Sequence, residues 1–215
     1  MNRERNWTLA PRSRGLESRA GLLLLLLAGC GAGPRPAAAP ACDQACQDGV
    51  ALRALRTAMK IAYNFEVSTK PVGPQDGTAP CISFDGSRGG SVHVFGDAEV
   101  NAVQGASIVS LTYDFKDCLY SAPPDPSADQ NYSLTLTGQV IENGTISVQP
   151  TATTALIIQT VVDSSTLQPA NSLSASGTVY DPALDYVVSG CALSVVQNGN
   201  AVSGALCGRS AGFTF

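Results

Sequence analysis

Strict alternation in two stretches constrains this chain more than any other feature. In Val109, Leu111, Tyr113 and Phe115 every second residue is apolar, with Ser110, Thr112 and Asp114 between them. Tyr132, Leu134, Leu136, Gly138 and Val140 repeat the pattern against Ser133, Thr135, Thr137 and Gln139. A period of two puts one face of a strand in the core and the other in water. Strand-like segments recur roughly every ten to fifteen residues from Pro71 to the C-terminus, the spacing of an all-β domain. The run Ala155 to Val162 is more continuously apolar and reads as a strand covered on both faces. The expected architecture is mainly β: an antiparallel meander of about eight to ten strands forming a curved sheet, half-barrel or sandwich.

One helical period precedes the strands. Over 43–62, Ala45, Ala51, Leu52, Leu55, Ala58, Met59 and Ala62 fall on one side of a helical wheel, as an amphipathic helix requires. Arg53, Arg56 and Lys60 line the other side and are expected to be a solvated face.

Two turns can be read to register. Around Glu142-Asn143-Gly144 a three-residue loop would oppose Val140 to Ile146 and Gly138 to Val148, keeping apolar against apolar. Around Asn198-Gly199-Asn200 the same construction sets Cys191 against Cys207, and directly opposed residues on antiparallel strands come close enough for a disulfide. Four segments share a hydroxyl-Gly-x-x pattern: Thr137-Gly138, Ser176-Gly177, Ser189-Gly190 and Ser203-Gly204. Glycine inside a strand marks a bend or a close backbone approach.

The N-terminal residues carry a different kind of information. Arg3, Arg5, Arg12, Arg14 and Arg19 precede a nine-residue apolar run, Ala20 to Ala28, and small residues then lead to Cys30. A spanning helix needs about twenty apolar residues, so the run reads as the hydrophobic part of a secretory signal. Leu27-Ala28-Gly29-Cys30 resembles the lipobox of bacterial lipoproteins. That resemblance implies cleavage before Cys30, diacylglycerol on its thiol and acylation of the new N-terminus. It divides the chain into a signal peptide (1–29), a lipidated cysteine and Gly/Pro/Ala tether (30–41), and one β-rich domain (42–215) with its helix at 43–62. By analogy with enteric bacteria, where aspartate after the cysteine retains a lipoprotein at the inner membrane, Gly31 permits sorting to the outer membrane. In style the chain is similar to small cysteine-containing envelope lipoproteins of the myxobacterial type, a likeness that transfers no functional residues.

Cysteine arithmetic agrees with export. Of seven cysteines, Cys30 is the odd one; Cys42, Cys46, Cys81, Cys118, Cys191 and Cys207 remain. An even remainder in an exported chain reads as three disulfides. With Cys191 and Cys207 paired, Cys42, Cys46, Cys81 and Cys118 are left to make the other two bridges, in a pairing that the sequence does not decide; joining each helix cysteine to a sheet cysteine would staple helix to sheet. Zinc is disfavoured by a single histidine and the absence of Cys-x-x-Cys pairs.

Residues 30–215 hold eight basic against fifteen acidic groups, a net charge of −7. A chain this acidic with no basic cluster is a poor nucleic-acid binder. Catalytic signals are sparse. His93 lies between Val92 and Val94 and should face outward, and Asp85, Asp97 and Glu99 read as solvated carboxylates. There is no Gly-x-Ser-x-Gly elbow and no phosphate-binding glycine loop. Asp125, Ser127 and Asp129 resemble the first half of a calcium loop, but Gln130 replaces its glycine and Leu136 its bidentate glutamate. Phe213-Thr214-Phe215 resembles the terminal signal of outer-membrane barrels, yet the strands lack a barrel's apolar band. The expectation is therefore a non-enzymatic, cofactor-free, lipid-anchored module of the cell envelope, structural or binding, held to the membrane by its lipid and meeting an envelope protein or ligand. The alternative is a carrier of lipid or another hydrophobic ligand, with the curved sheet as groove and the helix as lid.

Overall fold

The computed structural model describes residues 41–69, 72–101, 106–150, 158–169 and 173–215. The chain divides into two units, Met1–Ala39 and Pro40–Phe215; Cys30 and the lipobox fall in the first, outside the described residues. The second unit is mainly β, with one α-helix and an antiparallel sheet that does not close.

The helix α1 spans Gln44–Thr69, seven residues beyond the expected end at 62. Tyr63 and Glu66 are still buried against the sheet, so packing continues past the last alanine of the amphipathic pattern. Asp43 caps the start: its Oδ1 accepts the Cys46 N–H at 2.9 Å, satisfying one of the free donors of a first turn.

Among the described residues ten strands follow: β1 Gly73–Ile82, β2 Arg88–Asn101, β3 Ala106–Ser121, β4 Tyr132–Pro150, β5 Ile158–Pro169, β6 Leu173–Val179, β7 Leu184–Cys191, β8 Leu193–Asn198, β9 Ala201–Leu206 and β10 Arg209–Thr214. They pair antiparallel in the order β1-β2-β3-β4-β5-β8-β9-β10. The meander is interrupted by a fork. The first part of β4, Tyr132 to Thr137, pairs with β6, and β6 pairs with β7. The second part, Val140 to Pro150, pairs with β5. Gly138, at φ 117°, stands between the two parts.

The strand alternation appears as burial. Val109, Leu111, Tyr113 and Phe115 face inward, as do Tyr132, Leu134, Leu136 and Val140. The expected turn at Glu142-Asn143-Gly144 does not form: these residues continue β4, with Asn143 opposite Ser110 on one side and Thr166 on the other. Residues 140 and 146 have the same parity in a hairpin centred on 143 and in an unbroken strand, so matching of faces does not separate the two. The run Ala155 to Val162 is described only from Ile158, where β5 begins; residues 151–157 lie outside the described residues.

The last hairpin also departs from expectation. Asn198 pairs with Ala201 and Leu193 with Leu206, leaving a two-residue Gly199-Asn200 loop. Gln197 is buried and Val196 exposed, the reverse of the polarity that set the three-residue loop. Cys191 and Cys207 are nevertheless bridged, with Cα atoms 4.6 Å apart. They meet because both lie just outside the β8–β9 ladder, Cys207 in the left-handed region at φ 53° with its N–H on the Ala192 carbonyl.

The sheet wraps the helix instead of presenting one face to it. From Asp48 to Tyr63 every residue is buried except Thr57, Lys60 and Ile61. Contacts to α1 come from β1, β2, β3, β4, β6 and β10. The solvated stripe expected at Arg53, Arg56 and Lys60 is therefore corrected. Arg53 is 8% and Arg56 3% exposed, because β4, β8 and β10 close over that side.

Candidate functional site

The disulfides define the frame around the helix. Cys42 joins Cys46 within the entrance to α1, and Cys81 joins Cys118 between β1 and β3. Neither links helix to sheet, so the stapling that a helix-to-sheet pairing would give is absent from these bonds. Cys42 lies just before the Asp43 cap, and its Cα is 5.2 Å from that of Cys46 in the first turn. The Cys81 and Cys118 Cα atoms lie 5.4 Å apart although β2 separates their strands in the sheet order. Two flat strand spacings would span about 9.5 Å, so the sheet bends sharply there. The bend follows a bulge between Phe115 and Cys118, where Asp117 takes φ 48°.

Polar contacts add to the apolar packing that holds the helix. Asp48, fully buried, accepts hydrogen bonds from Tyr186 Oη at 2.7 Å, from Arg209 Nε at 2.7 Å and from Arg209 Nη2 at 2.9 Å. Tyr186 belongs to β7 and Arg209 to β10, so one carboxylate ties together both arms of the forked sheet. Burial pushes its pKa up, but the Arg209, Tyr186 and Gln44 hydrogen bonds and the Arg209 charge outweigh that and hold it below its ordinary value. The same burial and the neighbouring carboxylate drive the Tyr186 phenol well above its usual range.

Two turns along α1, Arg56 forms a second node. Its Nη2 lies 3.0 Å from Glu142 Oε1, off the line of a good hydrogen bond but within ion-pair distance. Its Nε donates to Gln197 Oε1 at 2.8 Å, and Tyr113 Oη donates to Glu142 Oε2 at 2.9 Å. Burial and the Glu142 charge push the Tyr113 phenol well up. Both Arg56 and Glu142 are almost wholly enclosed, at 3% and 1% exposure. Glu142 holds the inward phase of β4, one alternation step after Val140; that parity was the one sequence signal of its burial.

At the tether end of the helix lies an open crevice. Arg53 is its central side chain: Nη2 donates to the Thr214 carbonyl at 3.0 Å, Asp129 Oδ2 stands 3.4 Å away, and the guanidinium carbon sits 4.9 Å from the Phe213 ring centre. The crevice holds about 320 Å³ where Cys46, Gly49 and Phe213 line it. A second hollow of about 460 Å³, with Cys42, Asp129 and Tyr180 in its wall, adjoins it through Cys46 and Asp129. Both hollows open to solvent, with Arg53 and Asp129 as their paired charges.

The calcium candidates lie beside this crevice, and the Asp125 carboxylate is engaged by the loop itself. Asp125 Oδ1 accepts the Ser127 N–H at 2.7 Å, Asn131 Oδ1 accepts the Asp125 N–H at 2.9 Å, and Asn131 Nδ2 returns a bond to the Asp125 carbonyl at 2.9 Å. Asp129 turns to Arg53. The loop is thus held by Asn131, a residue the sequence pattern did not single out. His93 is half-buried on the outer face, its Nε2 2.7 Å from Asp76 Oδ1 and its ring 5.0 Å from that of Phe95. Asp85, Asp97 and Glu99 are exposed.

A carrier would need several hundred cubic ångströms of apolar space between helix and sheet. Where α1 meets β1–β3, the gap lined by Ala58, Ala62, Val92 and Tyr120 holds about 10 Å³. No protein family, curated protein or solved structure matches this chain.

Proposed function

We propose that this is a lipid-anchored lipoprotein of the cell envelope: a non-enzymatic structural or binding module, placed at the outer membrane by Gly31. The observation that carries the reading is the lipobox Leu27-Ala28-Gly29-Cys30 behind a basic, short hydrophobic leader. Three disulfides in the folded unit support it, since such bonds persist in oxidising compartments. Two acyl signals on one cysteine hold durably where a single chain binds only marginally. The packing of α1 against β1–β3 favours a filled module over a carrier there, and the crevice around Arg53 is the candidate site for a polar partner. Radiolabelled palmitate supplied to expressing cells should enter the protein, and Cys30→Ser should abolish both labelling and maturation. An unlabelled protein, or a Cys30→Ser form matured like the parent, would remove the reading.

A further inference from the structure

About two turns along α1 from Arg53 begins a run of exposed apolar side chains. At the β1–β2 turn Phe84 is 62% and Ile82 43% exposed; beside them on α1 Ile61 is 44% exposed, with Phe65, one turn on, at 46%. Ile61 and Ile82 line the same small hollow, and Phe84 follows Ile82 by two residues, so the side chains form one surface. Clustered large apolar groups of this kind mark an interaction face.

Its surroundings indicate what covers it. Arg88 stands opposite Ile82 in the β1–β2 register, and Lys60 adjoins Ile61 in sequence, against Asp85 in the turn. Residues 30–215 carry −7 overall, whereas two cations and one carboxylate neighbour these apolar side chains along the chain. Aromatic and branched side chains flanked by Lys and Arg suit the boundary between acyl chains and phosphate headgroups. The reach is sufficient. The twelve residues from Cys30 to Cys42 can extend to about 40 Å, while α1 from its first turn to Ile61 runs only about 26 Å.

Resting on the anchored reading above, we infer that this face lies on the bilayer that holds the lipid, with Phe84 and Ile82 dipping into the interface and Ile61 beside them. The tether then acts as a strap that lets the domain recline on the membrane.

The test uses the mature protein in phosphatidylcholine vesicles with brominated acyl chains. Its one tryptophan, Trp7, lies in the proposed signal, so Phe84→Trp reports alone. Its emission should shift to the blue and be quenched by the bromines. Val187→Trp, at an exposed site on β7, should keep an aqueous spectrum. Adding Ile61→Asp to Phe84→Trp should restore the aqueous spectrum without loss of fold, since Ile61 is exposed. Equal, unquenched spectra at 84 and 187 would overturn the inference, as would quenching indifferent to Ile61→Asp. A blue shift that grows with protein concentration before lipid is added would assign the face to a second copy instead. Intact mass separates the two levels: an unacylated chain overturns anchor and docking together, whereas an acylated chain with no quenching overturns docking alone.

Discussion

Asp48 shows how much one side chain can hold. Its carboxyl is kept below the ordinary 3.8, so the native state favours the ionised form more than the unfolded chain does. That stability is complete above the ordinary value and is lost as pH falls through the lower, folded one. Asp48→Asn should therefore destabilise the domain by about 1.5–3 kcal/mol at pH 7, the worth of hydrogen bonds to a charged group. Urea titrations of both proteins should converge as the pH is taken well below 4, because the parent then loses the same charge. Glycines give a second residue-scale contrast. At Gly204 φ is 155° and an added Cβ would sit 2.1 Å from the Ser194 carbonyl oxygen. At Gly199 φ is 55° and nothing lies within 4 Å. Gly199→Ala should cost only the left-handed penalty of about 1–2 kcal/mol. Gly204→Ala should cost clearly more, because a ladder strand must move; parallel thermal melts would show the order.

At the scale of elements, α1 is gripped by ion pairs as well as by apolar packing. A buried pair gains little over well-packed apolar groups, but removing one partner strands the other, at about 3–5 kcal/mol. Glu142→Leu alone should destabilise by that amount, and Arg56→Met added to it should recover most of the loss. A denaturant double-mutant cycle reads this directly, and additive effects would mean that the two side chains do not act as a pair. The same residues explain why the elements were only partly legible. Strands β3 and the first half of β4 follow alternation that any reader can see, because Tyr113, Leu134 and their neighbours are both apolar and inward. Glu142 and Gln197 are inward and polar, partnered by Arg56, which lies 86 residues from the first and 141 from the second in sequence. Local polarity therefore placed a turn at the first and shifted the register at the second. For the candidate site, the three calcium-like positions were visible in the sequence, whereas Arg53, Phe213 and Thr214 meet only after β10 folds back along the helix.

Over the whole molecule, a forked, open sheet is closed around its helix by covalent and polar ties. The Cys81–Cys118 bond spans 37 residues and the Cys42–Cys46 bond only 4. Chain-entropy arguments give about 4 kcal/mol for the longer loop and about 2 for the shorter. Replacing Cys81 and Cys118 together by alanine should lower the midpoint of urea unfolding by roughly twice as much as replacing Cys42 and Cys46. Equal losses would place the stabilisation in local packing and not in the restricted unfolded chain. Cys191–Cys207 has a third role, joining the β6–β7 arm to the β9–β10 turn, so that the fork cannot spread.

The chain's own order of residues determined its class: period-two segments impose strands, one 3.6-period segment imposes a helix, and six cysteines besides Cys30 make three bonds. These follow from nearest-neighbour chemistry, in which each residue's polarity predicts its side of the element. Tertiary structure decided which cysteines pair, where β4 divides, and that a helix with arginines on its flank is enclosed instead of laid on a surface. Those choices depend on partners far apart in the chain, where a buried charge is acceptable only because another strand supplies its counterpart.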